Sequence, residues 1–133
     1  MQLTLLDKSN YLKGLLVIAK KDNQLTETEK NIIRKIANKL GFATEFYEET
    51  LKSLIGNKYI VEDPIIFSSA TVAESFISDG LKVVLSDIND HSEEIFWLRS
   101  TAEINGIDVK NFNDRIKKVK ESSHTEFALW SII

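Results

Sequence analysis

The sequence aligns with itself when it is shifted by 65 residues, and this internal similarity limits its possible folds more than any other feature. Residues 11–54 match residues 76–119 without a gap, with seven identities in 44 positions. The apolar positions keep the same register, as in the pairs Leu12 and Ile77, Ile33 and Leu98, and Tyr47 and Phe112. Any two helical units would share part of this similarity. We interpret it as a duplicated three-helix unit whose copies pack on each other, because such short helices are marginal alone.

Apolar residues recur at helical spacing along most of the chain. The pattern predicts six helices, at about 10–21, 26–40, 44–55, 72–85, 95–104 and 109–121. Thr26 followed by Glu29 is typical of a capping box, and Gly41 is typical of a helix end. One proline and five glycines disfavour a β-sandwich or barrel, which needs many turns. The predicted fold class is all-α, a compact helical bundle of two three-helix pseudo-repeats.

The length of 133 residues suits one domain. Gly56, Asn57 and Pro64 break the helical pattern, so we place the pseudo-repeats at about 10–56 and 65–121. Residues 122–133 form a separate tail, of which 127–133 are strongly apolar. We expect this tail to dock back onto the bundle; the alternative is a contact with a partner, including a homodimer through the tail.

Composition excludes several classes of function. A net charge of −3 disfavours binding to nucleic acid, and no stretch is apolar enough to span a membrane. The chain has no cysteine, which fits a cytoplasmic location and excludes thiolate chemistry. It also lacks a nucleophile elbow, a phosphate-binding glycine loop and an HExxH zinc motif. We therefore expect a non-catalytic protein and regard an enzyme as the weakest hypothesis.

Two acidic pairs stand 65 residues apart, Asp22 with Glu29 and Asp87 with Glu94. Each aspartate follows a helix end, where a carboxylate faces the negative end of the helix dipole at a cost of about 0.3–1 kcal/mol. A hard divalent cation, calcium or magnesium, would offset that cost through oxygen ligands. The alternative is purely structural, since Glu29 is explained by its capping box and the aspartates by Asx turns. Neither loop has the EF-hand pattern.

The first acidic loop resembles the signature of the TerB-like family, which are all-helical domains associated with tellurite resistance. Residues 15–29 read LLVIAKKDNQLTETE, an apolar helix followed by an acidic turn, a leucine, a hydroxyl cap and a glutamate three residues later. The resemblance covers about residues 10–110. It implies a bundle of two pseudo-repeats whose acidic residues bind metal, and so points to Asp22, Glu29, Asp87 and Glu94. In the second loop Ile88 replaces the glycine of the motif and His91 replaces the hydroxyl cap, so the first loop fits better.

Other residues receive simpler interpretations. We expect Phe96 and Trp97 to fill the core, His91 to lie solvated in its loop, and the basic stretch 115–120 to form a solvated helix face. Two functional hypotheses follow. The chain is either a TerB-like module that holds a divalent cation and acts in stress-related sensing or protein interaction, or a structural adaptor without metal. An adaptor would bind an unidentified protein partner through the tail or a groove between the repeats.

Overall fold

A computed structural model describes residues 3–21, 26–55, 62–86 and 91–132; within these, only the backbone is described for residues 46, 50, 51, 53–55 and 122–132. These segments form six α-helices and contain no strand, which confirms the all-α prediction. The helices are α1 (Leu5–Lys21), α2 (Glu27–Lys39), α3 (Thr44–Ile55), α4 (Ala70–Val84), α5 (Ser92–Ile104) and α6 (Val109–Ile132).

Helix α1 begins earlier than predicted because it has its own capping box. The backbone N–H of Asp7 donates to the Thr4 hydroxyl at 3.0 Å, and the backbone N–H of Thr4 donates to the Asp7 carboxylate at 3.2 Å. The two side chains thus satisfy backbone donors that a helix start leaves without intrahelical partners. Aspartate stands here in place of the glutamate that the usual signature contains, and the prediction missed the start for this reason.

Helix α6 is also longer than predicted, since it continues from residue 121 to Ile132. Residues 122–132 of the tail are therefore helical. The side chains of the tail lie outside the described residues, so tail docking and dimerisation stay predictions. Within the described part of the chain, no helix combines the length and the apolar character needed to cross a membrane.

Helices α1 and α4 cross at the centre of the bundle, and both carry a glycine at a close contact. A Cβ added to Gly14 would lie 2.6 Å from Cε1 of Phe76, and one added to Gly80 would lie 2.8 Å from Cδ2 of Leu98. These distances are too short for a side chain, so the glycines set how closely the elements approach. Gly80 therefore marks close packing of α4 against Leu98 and Ile18. An aromatic group fills the neighbouring core, formed by Tyr11, Phe67, Phe76 and Trp97.

The two halves of the bundle share the spacing of their helix starts and the set of helix pairs that pack together. Helices α4, α5 and α6 begin 65 residues after α1, α2 and α3, respectively. The same helix pairs pack together in both halves. Helix α1 contacts α2 and α3, as α4 contacts α5 and α6, and α2 contacts α3 as α5 contacts α6. Between the halves, α1 contacts α4, and the contact of α1 with α5 corresponds to that of α4 with α2.

Helices α2 and α5 end in the same way. Gly41 and Gly106 have φ angles of 88° and 82°, the left-handed region that favours glycine. The residue after each glycine donates its backbone N–H to the carbonyl five positions earlier, Phe42 to Ala37 and Ile107 to Ala102. These are Schellman ends, as the glycine at position 41 predicted.

A segment without helix or strand, residues 62–67, lies along α5 before the start of α4. The Asn105 side chain anchors it: the amide nitrogen donates to the carbonyl of Ile65 at 2.7 Å, and the amide oxygen accepts from the backbone N–H of Phe67 at 2.9 Å. The indole N–H of Trp97 donates to the carbonyl of Glu62 at 2.8 Å. These bonds fix both ends of the segment against one helix.

Candidate functional site

Two of the four predicted metal ligands, Glu29 and Glu94, belong to the described residues. Each is the third residue of its helix, and the side chains are only 1% and 5% exposed. Burial of a carboxylate is costly unless hydrogen bonds or a cation compensate it. Asp22 and Asp87 lie outside the described residues, so the structure does not test whether they meet these glutamates.

The corner at Glu29 is a capping box, as the sequence predicted. Oε1 of Glu29 accepts the backbone N–H of Thr26 at 3.2 Å and its hydroxyl at 2.9 Å, while the backbone N–H of Glu29 donates to that hydroxyl at 3.1 Å. The carboxylate therefore stabilises the start of α2. An ionised carboxylate has about four acceptor positions, so one carboxylate has room for both capping hydrogen bonds and a cation.

The corner at Glu94 has a different cap. The N-cap of α5 is His91, with φ −118° and ψ 22°, and its side chain makes no capping hydrogen bond. His91 is buried, so the prediction of a solvated loop histidine is wrong. Thr26 has the extended backbone angles that favour a hydroxyl cap, with ψ 160°, and His91 does not. The two corners thus share a buried glutamate but not a capping mechanism.

One helix end beside each acidic loop lines a common groove. Lys21, the last residue of α1, and Ser92 and Glu93, at the start of α5, line the same groove. No group of three histidine, cysteine, aspartate or glutamate side chains is gathered for a metal among the residues that the structure describes. The divalent cation site therefore stays a prediction, with carboxylate oxygens that suit calcium or magnesium.

The adaptor hypothesis includes a groove between the repeats, but the residues that line this groove were not predicted. It has a volume of about 420 Å³ and an apolar floor, and it runs between the end of α1, the segment 62–64 and one face of α5. That volume lies in the range of small-ligand sites, about 300–1,000 Å³. Its lining consists of Lys21, Glu62, Pro64, Ser92, Glu93, Phe96, Trp97 and Ser100.

Phe96 is the most informative residue of this groove, because its side chain is 67% exposed. The prediction that Phe96 fills the core is wrong, whereas Trp97 beside it is buried as predicted. The sequence did contain a signal. Residues 95–98 are four consecutive apolar residues, and at about 100° per residue a helix cannot turn all four toward one core.

Charged side chains rim the apolar floor. The Lys21 ammonium lies 3.1 Å from the Glu62 carboxylate, which closes one side of the groove with an ion pair. Glu93 also lines the groove, is exposed, and forms no ion pair with any residue that the structure describes. The groove therefore combines a fixed aromatic surface with one uncompensated negative charge.

Comparisons with known proteins identify no relative of this chain. No family model, no curated protein and no solved structure matches this chain.

Proposed function

We propose that this chain is a non-catalytic helical module that binds a protein partner through the groove beside Phe96. The exposure of Phe96 next to an apolar groove carries the proposal. Exposed apolar surface bordered by polar groups is typical of interaction sites, and aromatic residues are enriched at their centres. The hydrogen bonds from Trp97 and Asn105 hold the groove wall in place, so little ordering would be needed on binding.

The proposal includes a duplicated architecture of the TerB-like kind. The common spacing of helix starts, the matched Schellman ends and the exchangeable set of packed pairs support it. One pair of contacts supports it in detail: the hydroxyl of Tyr11 donates to Asp79, and Gly14 faces Phe76. Tyr11 and Phe76 are 65 residues apart, and so are Gly14 and Asp79, so the two contacts join equivalent positions of the two halves. The groove then lies between the repeats, where an adaptor would recognise its partner.

A second candidate function is the binding of a divalent cation, calcium or magnesium, at the acidic corners. The equivalent burial of Glu29 and Glu94, each after an acidic loop, favours it. With a cation the module would act as a cytoplasmic sensor in a stress response, which is the setting that the TerB-like resemblance implies. Without one it would be a structural adaptor with the same groove.

A selection experiment tests the interaction function. A random peptide library displayed on phage is selected against the whole chain, and the enriched peptides are measured on Phe96→Ser and Leu6→Ser. Leu6 is 69% exposed and does not line the groove, so it is a matched control. We expect Phe96→Ser to weaken binding about tenfold, equivalent to about 1.4 kcal/mol, and Leu6→Ser to have no effect. Equal binding to both variants, or no enriched peptide, would refute the proposal.

A further inference from the structure

The charges around the groove restrict the chemistry of its partner. Three ionisable side chains line it, Lys21, Glu62 and Glu93. Lys21 and Glu62 neutralise each other at 3.1 Å, so Glu93 determines the charge that a partner meets. Asp63, exposed between Glu62 and Pro64, adds to the negative character of the rim.

From this we infer that the partner is a protein segment with an apolar or aromatic side chain two positions away from a lysine or arginine. The inference rests on the proposed function, because it names the partner of the same groove. The apolar side chain contacts Phe96 and Pro64, and the cationic group pairs with Glu93. An acidic segment is disfavoured because it would place like charges together at the rim.

The spacing on α5 fits such a pair of anchors. Glu93 precedes Phe96 and Trp97 by three and four positions, so the carboxylate lies on the same helix face, one turn before the aromatic floor. One turn corresponds to about 5–6 Å between Cβ atoms. Alternate residues of an extended segment are about 7 Å apart, so one short peptide can reach both positions.

Trp97 provides a direct readout of groove occupancy. The chain has two tryptophans, Trp97 and Trp130, and their indole N–H signals are separable by NMR in the whole ¹⁵N-labelled protein, with Trp130→Phe assigning them. Three synthetic peptides serve as probes. They share a scaffold with a central tryptophan, and the residues two positions before and two positions after it are arginine, glutamine or glutamate. We expect the arginine peptide to shift the Trp97 signal at the lowest concentration and the glutamate peptide at the highest.

Variants of α5 assign this preference to Glu93. In Glu93→Gln the arginine peptide should bind about two- to fivefold more weakly, the effect of one exposed ion pair, and the preference over the glutamate peptide should shrink. Glu103→Gln changes an exposed glutamate of the same helix outside the groove and should leave binding unchanged. Added salt should reduce the preference more in the wild type than in Glu93→Gln.

The outcomes separate the inference from the proposed function. If the glutamine or glutamate peptide binds as well as the arginine peptide, the interaction function stands and the inference falls. If no peptide moves the Trp97 signal, both fall. If the signal moves on dilution without any peptide, a second copy of the chain occupies the groove, which overturns the inference.

Discussion

Asp7, in the first turn of α1, accepts a hydrogen bond from the backbone N–H of Ser68, 61 residues away, at 2.9 Å. The Ser68 hydroxyl donates to the same carboxylate, which also caps α1 through Thr4. One buried side chain therefore stabilises a helix start and holds the segment that precedes α4 against it.

Replacing Asp7 should destabilise the fold. In Asp7→Asn an amide NH2 group replaces one acceptor oxygen and faces N–H or O–H donors of Thr4 or Ser68. We expect the free energy of unfolding to fall by about 1–3 kcal/mol, the cost of leaving buried polar groups unsatisfied. Urea denaturation measures this, with the exposed Asp114→Asn as the control. Equal stability of the two variants would mean that the Asp7 hydrogen bonds contribute nothing.

The same residue should make stability depend on acid pH. Burial acts to raise the pKa of Asp7, but the hydrogen bonds from Ser68 and Thr4 outweigh it and lower the pKa below the ordinary value of about 3.9. A lowered carboxyl pKa stabilises the fold above the unfolded-state pKa, and this stabilisation is lost as the pH falls through the folded-state value. The difference in stability between the wild type and Asp7→Asn should therefore be constant above about pH 5 and narrow below pH 4. A difference that does not vary down to pH 2 would contradict this.

The central helix crossing should not tolerate a methyl group at Gly14. Gly14→Ala would press on the Phe76 ring, which is buried and itself packed against Tyr11, Phe67 and Trp97. We expect a loss of about 1–3 kcal/mol from overpacking, although alanine favours helix by about 1 kcal/mol. Gly80→Ala should cost less, because it meets the ends of flexible Leu98 and Ile18 side chains.

A double-mutant cycle checks the cause of this cost. Phe76→Leu removes the ring atoms that oppose a side chain at position 14, so Gly14→Ala should cost less in the Phe76→Leu background than in the wild type. Thermal unfolding of the four proteins gives the coupling. Additive effects would show that the alanine acts on the helix backbone rather than on the ring.

Local rules predicted the parts of this structure that depend on a few neighbouring residues. The capping box of Thr26 and Glu29 and the left-handed Gly41 follow from side-chain and backbone preferences within one turn. The start of α1 was missed although it is equally local, because aspartate takes the usual place of glutamate. The end of α6 was missed because the polar residues 121–126 break the apolar pattern without breaking the helix.

The groove depends on contacts that sequence spacing does not contain. The bonds of Trp97 to Glu62 and of Asn105 to Ile65 and Phe67 join residues 35 to 40 positions apart. They place the segment 62–67 along α5 and leave Phe96 on the surface. Four consecutive apolar residues, 95–98, predict that one of them is exposed. The position of residues 62–67 against α5 determines that this residue is Phe96.

Titration calorimetry tests the acidic corners as a cation site. Calcium, magnesium, manganese and zinc are added separately to the whole chain and to Asp22→Asn and Asp87→Asn, with Asp114→Asn as the control. If the corners bind a cation, the wild type and control should release or absorb heat and gain melting temperature with metal concentration, and the corner variants should not. Unchanged helix content by circular dichroism would confirm that the variants are folded. If the wild type gives no heat with any of the four metals, the hypothesis of a structural adaptor without metal remains.

The buried hydroxyl of Thr101 should be dispensable. This side chain lies in α5 within the core, and its Oγ1 atom has no hydrogen-bond partner among the residues that the structure describes. The residue 65 positions earlier, Ile36, is buried and apolar. Thr101→Val keeps the branched shape and removes the unsatisfied polar group, so the free energy of unfolding should rise by about 1 kcal/mol. Thr71→Val, at an exposed position of α4, should change it by less than about 0.5 kcal/mol. If Thr101→Val instead lowers stability, the hydroxyl has a partner in solution, such as a buried water, and the core at α5 is more polar than its side chains indicate.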